Sequence, residues 1–533
     1  ATDAAGSPYD IAVSGTASGA PGIAVTSSEG GAVSDGGTDP QGTEPAGVQK
    51  VVSYTVSNPG TAPLNVSGAS TASPANVTVD NVTVGASPVA PGDTTVVTVA
   101  YTPTLAGAFG FELDIATDAA GSPYDIAVSG TASPGPSVDI TGLPQSFTGT
   151  GQFTVTVTFS EAVTGFTAAD VTVQSGSVAQ VTGGGASFTV TITPDGNGDV
   201  GVSVPAAVAF AANGAPNQAS AVESVRNDTV KATREKIAEF MAIRANQLVS
   251  NQPDLTGFVF GTGRGSFDFV SRDGSTALNL ESRQAAPVWF DLQVSRVESG
   301  TIGADYALGS VGSHTWLNPN TALGAMLQFD VVDQKDGIVD TRGTGWLVGP
   351  YLASRAAQQP LFFHAYALFG HSDNEISPTG TYTDSFETDR VLVNAEVSGE
   401  MGYKRFRLIP SLSATYTTDD QKAYIDSLGN PIASQTIEIA RVALGLDFTH
   451  PLGDAYNNWM LEGGVEGSYT SVHGSRTPGT IVSDFEDGRG RVELGVSRAG
   501  PSGSTFRLNG FYDGVGASNF ESYGVKLSFD TAF

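Results

Sequence analysis

From Ala286 to its last residue, this 533-residue chain keeps returning to one pattern. Val288, Phe290, Leu292 and Val294 alternate with Asp291, Gln293 and Ser295. Near the other end, Val525, Leu527, Phe529, Thr531 and Phe533 alternate with Lys526, Ser528 and Asp530. A period of two marks a strand with one apolar and one polar face. Twelve such segments are counted, near 287–298, 304–316, 321–333, 342–354, 360–371, 388–402, 405–417, 435–449, 457–471, 487–498, 503–513 and 520–533. Their connections differ by parity. After odd-numbered segments they are long and polar: 334–341, 372–387, 418–434, 472–486 and 514–519. After even-numbered segments they are tight: 318–320, 356–359, 403–404, then 450–456 and 499–502. The first connection, 299–303, is short and departs from the rule.

Long loops at one rim and short turns at the other are what a membrane-spanning barrel requires. The expectation is a 12-stranded transmembrane antiparallel β-barrel with both ends on the short-turn side. Facing agrees with this. A Lys or Arg facing lipid at mid-bilayer costs about 2–4 kcal/mol, and the strand charges fall on the other parity. Asp291, Glu396, Arg407, Arg441, Glu462, Glu466, Arg491 and Arg507 are therefore expected to face the lumen. There they either neutralise one another and a passing segment, or simply fill a wet interior. Trp289, Trp346, Trp459, Tyr469 and Tyr512 sit near strand ends or at ambiguous positions, and some should form interfacial girdles. Residues 258–285 do not fit the count; a hairpin, an extra strand pair and a plug all remain open.

The rest of the chain is a different material. Residues 1–230 hold two basic residues, Lys50 and Arg226, against 19 acidic ones, a balance of −17; the remainder carries −12. The total of −29 argues against a nucleic-acid partner. There is no cysteine, which fits export in an unfolded state or a chain that uses none. No apolar run reaches 18 residues, so no transmembrane helix is expected, and no secretory signal opens the chain. Residues 1–18 and 116–133 are identical letter for letter, an offset of 115 residues. Residues 1–18 are read as the terminal strand of a preceding repeat, and the chain as a mature form or fragment.

Short β-rich runs separated by turn residues, such as Asn58-Pro59-Gly60 and Pro91-Gly92-Asp93, make 19–133 a β-sandwich. Phe153–Phe159 and Phe188–Thr193 alternate in the same way within a second sandwich, 134–228. Then the β pattern breaks. Thr229 to Ser250 contains no Gly or Pro, and Ile237, Phe240, Met241, Arg244 and Leu248 fall at helical spacings. Asp228 is a plausible N-cap and Pro253 lies just past the end. Such a helix would be roughly 33 Å long at about 1.5 Å per residue, close to a membrane's depth. The whole is all-β apart from this linker: two immunoglobulin-like β-sandwich domains, a linker α-helix over 229–254 and a barrel over 255–533.

Several stretches resemble known families. Val56-Ser57-Asn58-Pro59-Gly60-Thr61-Ala62-Pro63-Leu64, Val89-Ala90-Pro91-Gly92-Asp93 and Tyr101-Thr102-Pro103 resemble the choice-of-anchor D domains of bacterial surface proteins. Thr158–Phe166, Asp170–Val173 and Ile192–Gly196 resemble another bacterial immunoglobulin-like repeat, common in large adhesins. From about 230 on, Ser377–Arg390, Ala423-Tyr424-Ile425-Asp426-Ser427, Arg244-Ala245-Asn246 and Ser250–Asp254 resemble the barrel of monomeric type V autotransporters. The closing stretch resembles the strand read by the barrel-assembly machinery, with Ser522, Gly524, Leu527, Phe529 and terminal Phe533 as the signal. The resemblance implies a barrel in the outer membrane, in contact with its lipid, assembled by that machinery and monomeric. It further implies a helix within the pore and an N-terminal passenger at the cell surface. The passenger would be a stalk or adhesin with an unidentified extracellular ligand. Lys231, Arg234, Lys236 and Arg244 of the helix would then meet lumen acids such as Glu396, Glu462 and Glu466. A porin-like channel with periplasmic domains, and a scaffold displaying an enzyme from further upstream, are the alternatives.

Chemistry is otherwise sparse. His314, His364, His371, His450 and His473 are scattered, none with metal-ligand spacing or in a defensible Ser-His-Asp setting. Asp195, Asn197 and Asp199 alternate as in calcium loops but lack the distal Glu, and a polar turn has the same composition. Gly261–Gly265 lacks the Lys-Ser/Thr of a phosphate loop. No enzyme, metal or cofactor is expected. Asn246 is the one Asn inside the helix, and self-cleavage of the passenger there is not expected.

Overall fold

The computed structural model describes residues 5, 8, 11–16, 18–260, 266–272, 275–281, 288–299, 301–453, 458–474, 485–500, 505–516 and 522–530. Phe533, most of the first ten residues and the Gly261–Gly265 stretch lie outside these. The chain divides into two compact units, one of sandwiches and one built mainly on residues 227–533.

In the first sandwich, five strands order as 31–33, 24–27, 50–57, 94–103 and 77–84. Against them lie 37–45, 124–133, 107–117 and 66–75, the first pair parallel. Alternation fills the space between with Val52, Tyr54, Val97, Tyr101, Leu113 and Ile126. The Asn-Pro-Gly turn works as a knot. The buried Asn58 amide donates to the Ala62 and Val89 carbonyls at 2.8 and 3.0 Å and accepts from the Gly60 N–H at 2.9 Å. Gly60 lies against the Ala20–Gly22 backbone so closely that a Cβ has no room. Residues 11–16, identical in sequence to 126–131, follow a different fate: Ile11 and Val13 are 80% and 92% exposed, whereas Ile126 and Val128 are core.

The second sandwich pairs 138–141, 153–159, 187–194 and 176–184 in that order. Phe159, Phe166 and Phe188 fill it edge to face, with ring centroids 4.9–5.9 Å apart. Asp195 accepts from the Asn197 N–H at 2.8 Å, with Gly196 at φ +83°. That is an Asx turn, the polar-turn reading of this stretch.

The barrel is a closed antiparallel ring. Its strands are β1 (Ser266–Arg272), β2 (Ser275–Glu281), β3 (Val288–Ser299), β4 (Ile302–Asn318), β5 (Thr321–Asp336), β6 (Val339–Arg355) and β7 (Leu361–Ser377). They continue as β8 (Asp384–Gly399), β9 (Phe406–Gln421), β10 (Gln435–Leu452), β11 (Trp459–Gly474), β12 (Phe485–Ala499), β13 (Thr505–Val515) and β14 (Ser522–Asp530). Met401–Tyr403 prolongs β8, pairing with the same neighbour β9. All twelve expected strands are present as β3–β14. The count is nevertheless corrected to fourteen among the described residues. The hairpin β1–β2, in the segment left open, pairs with β14 on one side and β3 on the other and so closes the ring. The count stays even, so the tight-turn rim still holds both ends.

Alternation sets the faces. Phe290, Phe329, Phe369, Leu444, Val465 and Leu494 point outward and exposed, forming the apolar belt. Trp289 is corrected from a possible girdle position: it is fully buried inside, stacked on Phe258 at 4.6 Å, its Nε1–H donating to the Tyr351 hydroxyl at 2.9 Å. Trp346, Tyr469 and Tyr512 do face outward. No helix among the described residues is long and apolar enough to cross a membrane.

Candidate functional site: the helix-filled lumen

Helix α1 (Thr229–Ser250) lies inside the ring, followed by the short α2 (Leu255–Phe260). Asp228 occupies the N-cap position, but the first N–H, that of Thr229, is accepted by Asn227 Oδ1 at 2.9 Å. At the far end the Asn251 amide donates to the Gln247 carbonyl at 2.7 Å. The start of α1 meets the long-loop rim: Lys236 bonds Asp336, beside the two-residue Gly337-Ile338 turn that stands where a long connection over 334–341 was expected, and the Arg234 carbonyl accepts from Gln435 at the end of the long 422–434 loop. Its end and α2 meet the tight-turn rim, where Phe260 packs on Trp316 and Phe362. The helix therefore runs the depth of the lumen, leaving the passenger end at the long-loop rim.

The buried stripe of α1 mixes Ile237, Phe240, Met241 and Leu248 with Thr233 and Arg244. Apolar wall residues such as Leu308, Leu347, Leu368 and Ile439 receive the first group. Arg244 is received by charge. Its Nε donates to Asp330 Oδ2 at 2.7 Å and its Nη1 to Asn374 Oδ1 at 2.6 Å. Arg390 donates to the other Asp330 oxygen at 2.6 Å and lies 3.6 Å from Asp419. The side chains of Arg244, Asp330 and Arg390 are each 1% exposed, so water screens none of these charges and their attraction is strong. Two glycines on β6 make room. A Cβ on Gly345 would stand 2.5 Å from Arg244 Nη2 and 2.8 Å from Asp330 Oδ1, and one on Gly343 would stand 2.8 Å from Arg244 Nη1.

The helix partners differ from those expected. Lys236 pairs with Asp336 at 2.6 Å and with Glu239 at 2.9 Å; Lys231 lies exposed, 3.9 Å from Glu235. The acids that receive α1 are thus Asp330 and Asp336 of β5, not Glu396, Glu462 or Glu466. Glu466 pairs with Arg441 at 2.9 Å and Glu462 with Arg507 at 3.5 Å, wall to wall. Arg491 pairs with Glu493 at 3.1 Å and lies over the Phe511 ring. Asp291 accepts from Gln293 at 2.9 Å. Arg407 pairs with Glu400 at 2.6 Å near the tight-turn rim. Glu396 is half-buried, with Asp254, Asp447 and Glu466 as charged neighbours. The wall away from Arg244 is wetter: Glu466 is 38% exposed. Alternation alone would have found Asp330, Arg390 and Asp419, since they hold lumen parity; the glycine cradle leaves no such signal.

The two loop motifs meet above the helix. Ser427 donates from N and Oγ to Asp384 Oδ1 at 2.8 and 2.6 Å, and Tyr424 stacks on Phe386 at 6.4 Å. Ile432, from the same loop, is buried among the helix contacts. In the loop after β7, burial pushes the Tyr382 phenol up to about 12. On β14, Gly524 pairs with Phe511 and Arg272, and Leu527 faces outward; Ser522 and Phe529 lie on the same strand.

Residues 288–513 match the autotransporter beta-domain family, and residues 131–229 match a bacterial Ig-like domain. The chain carries an autotransporter beta-domain. Its barrel belongs to the outer membrane and carries its passenger N-terminal to it, at the cell surface. One chain closes the ring by itself, as a monomeric autotransporter requires. The NalP translocator domain of Neisseria meningitidis is similar at 13% identity, covering 57% of this chain and 99% of that one, with a TM-score of 0.37. The beta domain of Bordetella BrkA is similar at 14%, covering 51% and 100%, with a TM-score of 0.34. A toluene transporter of Pseudomonas putida, TodX, is similar at 11%, covering 54% and 91%, with a TM-score of 0.29. Likenesses this slight do not separate a translocator from a channel; the family match does. No curated protein sequence is significantly similar to the autotransporter.

Proposed function

We propose that the autotransporter holds its passenger on the surface by a permanent tether, with α1 as both plug and anchor. The passenger's sandwiches act as a non-enzymatic stalk or adhesin. The observation that supports this reading is the dry Arg244–Asp330–Arg390 cluster, which binds the helix to the wall in one register. The first sandwich belongs, in this reading, with the choice-of-anchor D domains that its Asn58-Pro59-Gly60 turn resembles. Asn246 is exposed, whereas Arg244 two residues earlier is buried against its carboxylate. The helix carbonyl groups are thus given no buried activated amide, and the passenger stays attached. The barrel-assembly machinery recognises the stretch from Ser522 to Phe533 through Ser522, Gly524, Leu527, Phe529 and Phe533. The family of the barrel is not enzymatic, and the lumen is read as a conduit.

Planar-bilayer recording tests the plug. The chain lacking 229–250 should show a larger single-channel conductance than the full chain. Equal conductance would place the helix outside the pore and sink the reading.

A further inference from the structure

On the outer wall, β7 and β8 carry an arrangement that neither display nor anchoring uses. Phe369 and Val391 are cross-strand partners at the upper edge of the apolar belt. The next outward-facing pair is His371 and Asp389, and the pair after that is Asp373 and Glu387. Trp346 of β6 pairs with His371, so an aromatic residue of the kind that marks a membrane interface stands at the same level. The set therefore lies where lipid gives way to headgroups, on the long-loop side.

His371 Nδ1 is 3.0 Å from Asp389 Oδ1. A carboxylate accepts only, so Nδ1 is the donor to Asp389, and in the neutral imidazole Nε2 is then the nitrogen whose lone pair can ligate. That lone pair faces two further carboxylates, Asp373 at 3.7 Å and Glu387 at 3.9 Å. Both distances exceed a hydrogen bond, which leaves space for a cation between the ring nitrogen and the two carboxylates. The ligand atoms of His371, Asp373 and Glu387 all lie within 4.8 Å of one another. Zinc held at about 2.0–2.2 Å by each of three tetrahedral ligands sets them ~3.4 Å apart, so small side-chain rotations suffice. The hydrogen bond from the distal imidazole nitrogen to a carboxylate is the support that metal-bound histidines characteristically have. Lys422 lies 3.2 Å from both Glu387 and Asp389 and tethers those two carboxylates.

We propose that His371, Asp373 and Glu387 form a divalent-cation site of the zinc class, oriented by Asp389, on the outer rim of the barrel. The mixed imidazole–carboxylate set favours a transition-metal ion over magnesium or calcium. Three protein ligands leave one position open, on the solvent side. The ion braces β7 to β8 at the point where they enter the loop that covers the helix.

Calorimetric titration of the full chain, folded in detergent, with zinc alone tests the site. Wild type should take up one more equivalent than His371→Ala, and Glu387→Gln should weaken that equivalent at least tenfold. All three residues sit on the exposed outer face, so heat-modifiable migration on gels should confirm that each variant is folded. Zinc uptake that is the same in wild type and His371→Ala, or is absent from wild type, overturns the proposal.

Discussion

Arg244 is the residue on which the pore helix turns. Replacing it with Ala strips Asn374 of its nearer donor, leaving the Ser372 hydroxyl at 3.4 Å, and Asp330 of one of two cations. Removing one partner of a buried ion pair costs about 3–5 kcal/mol, and the low end applies here because Arg390 still neutralises Asp330. The temperature at which the compact barrel band unfolds on semi-native gels should fall accordingly. Gly345→Ala should cost about 1–3 kcal/mol by overpacking the same spot. The double variant should cost less than the sum, because the methyl group then enters the space the guanidinium vacated. Strict additivity in those gels would mean that the cradle and the arginine are unrelated.

Among elements, the hairpin β1–β2 decides whether the ring exists. Without 266–281, β14 loses its neighbour along Gly524–Asp530 and β3 along Asp291–Val297. Two open edges in lipid leave backbone groups unsatisfied, so the deletion should abolish the heat-modifiable band. A deleted chain that still gives that band would show that twelve strands suffice. This hairpin is also where sequence reading stopped. Its two strands are seven residues each, while most of the others run to fifteen or more, so too few alternations accumulate to stand out from a linker. Long strands were legible because lipid on one side and a wet or helix-filled lumen on the other impose opposite demands on successive residues. The helix was legible from Ile237, Phe240, Met241 and Leu248. Its partners were not. Which acid faces Arg244 depends on the stagger of the ring and the depth of the helix, and no single strand carries either. Trp289 shows the same limit, since parity near a strand end is ambiguous until a neighbour such as Phe258 fills the inside.

For the molecule as a whole, the charge division marks what stands outside. Protease added to intact cells should remove residues 19–228 and leave a membrane-protected fragment containing β3–β14; survival of the sandwiches until the cells are lysed would put them in the periplasm. The direction of α1 then has a mechanical consequence. The passenger joins at Thr229, by the long loops, and the chain continues past Ser250 to α2 at the opposite rim. Tension on a surface-bound sandwich is therefore applied along the helix axis. The first turns of α1 already hold part of it, with Thr229 and Thr233 buried and Lys236 fastened to Asp336 at 2.6 Å, while Lys231 stays exposed. Arg244 stands roughly four turns in and takes the remaining load in shear against Asp330, while α2 wedged on Trp316 and Phe362 acts as a backstop. The pore is thus a mooring made fast at several depths, with the driest fastening, Arg244 on Asp330, deep in the wall.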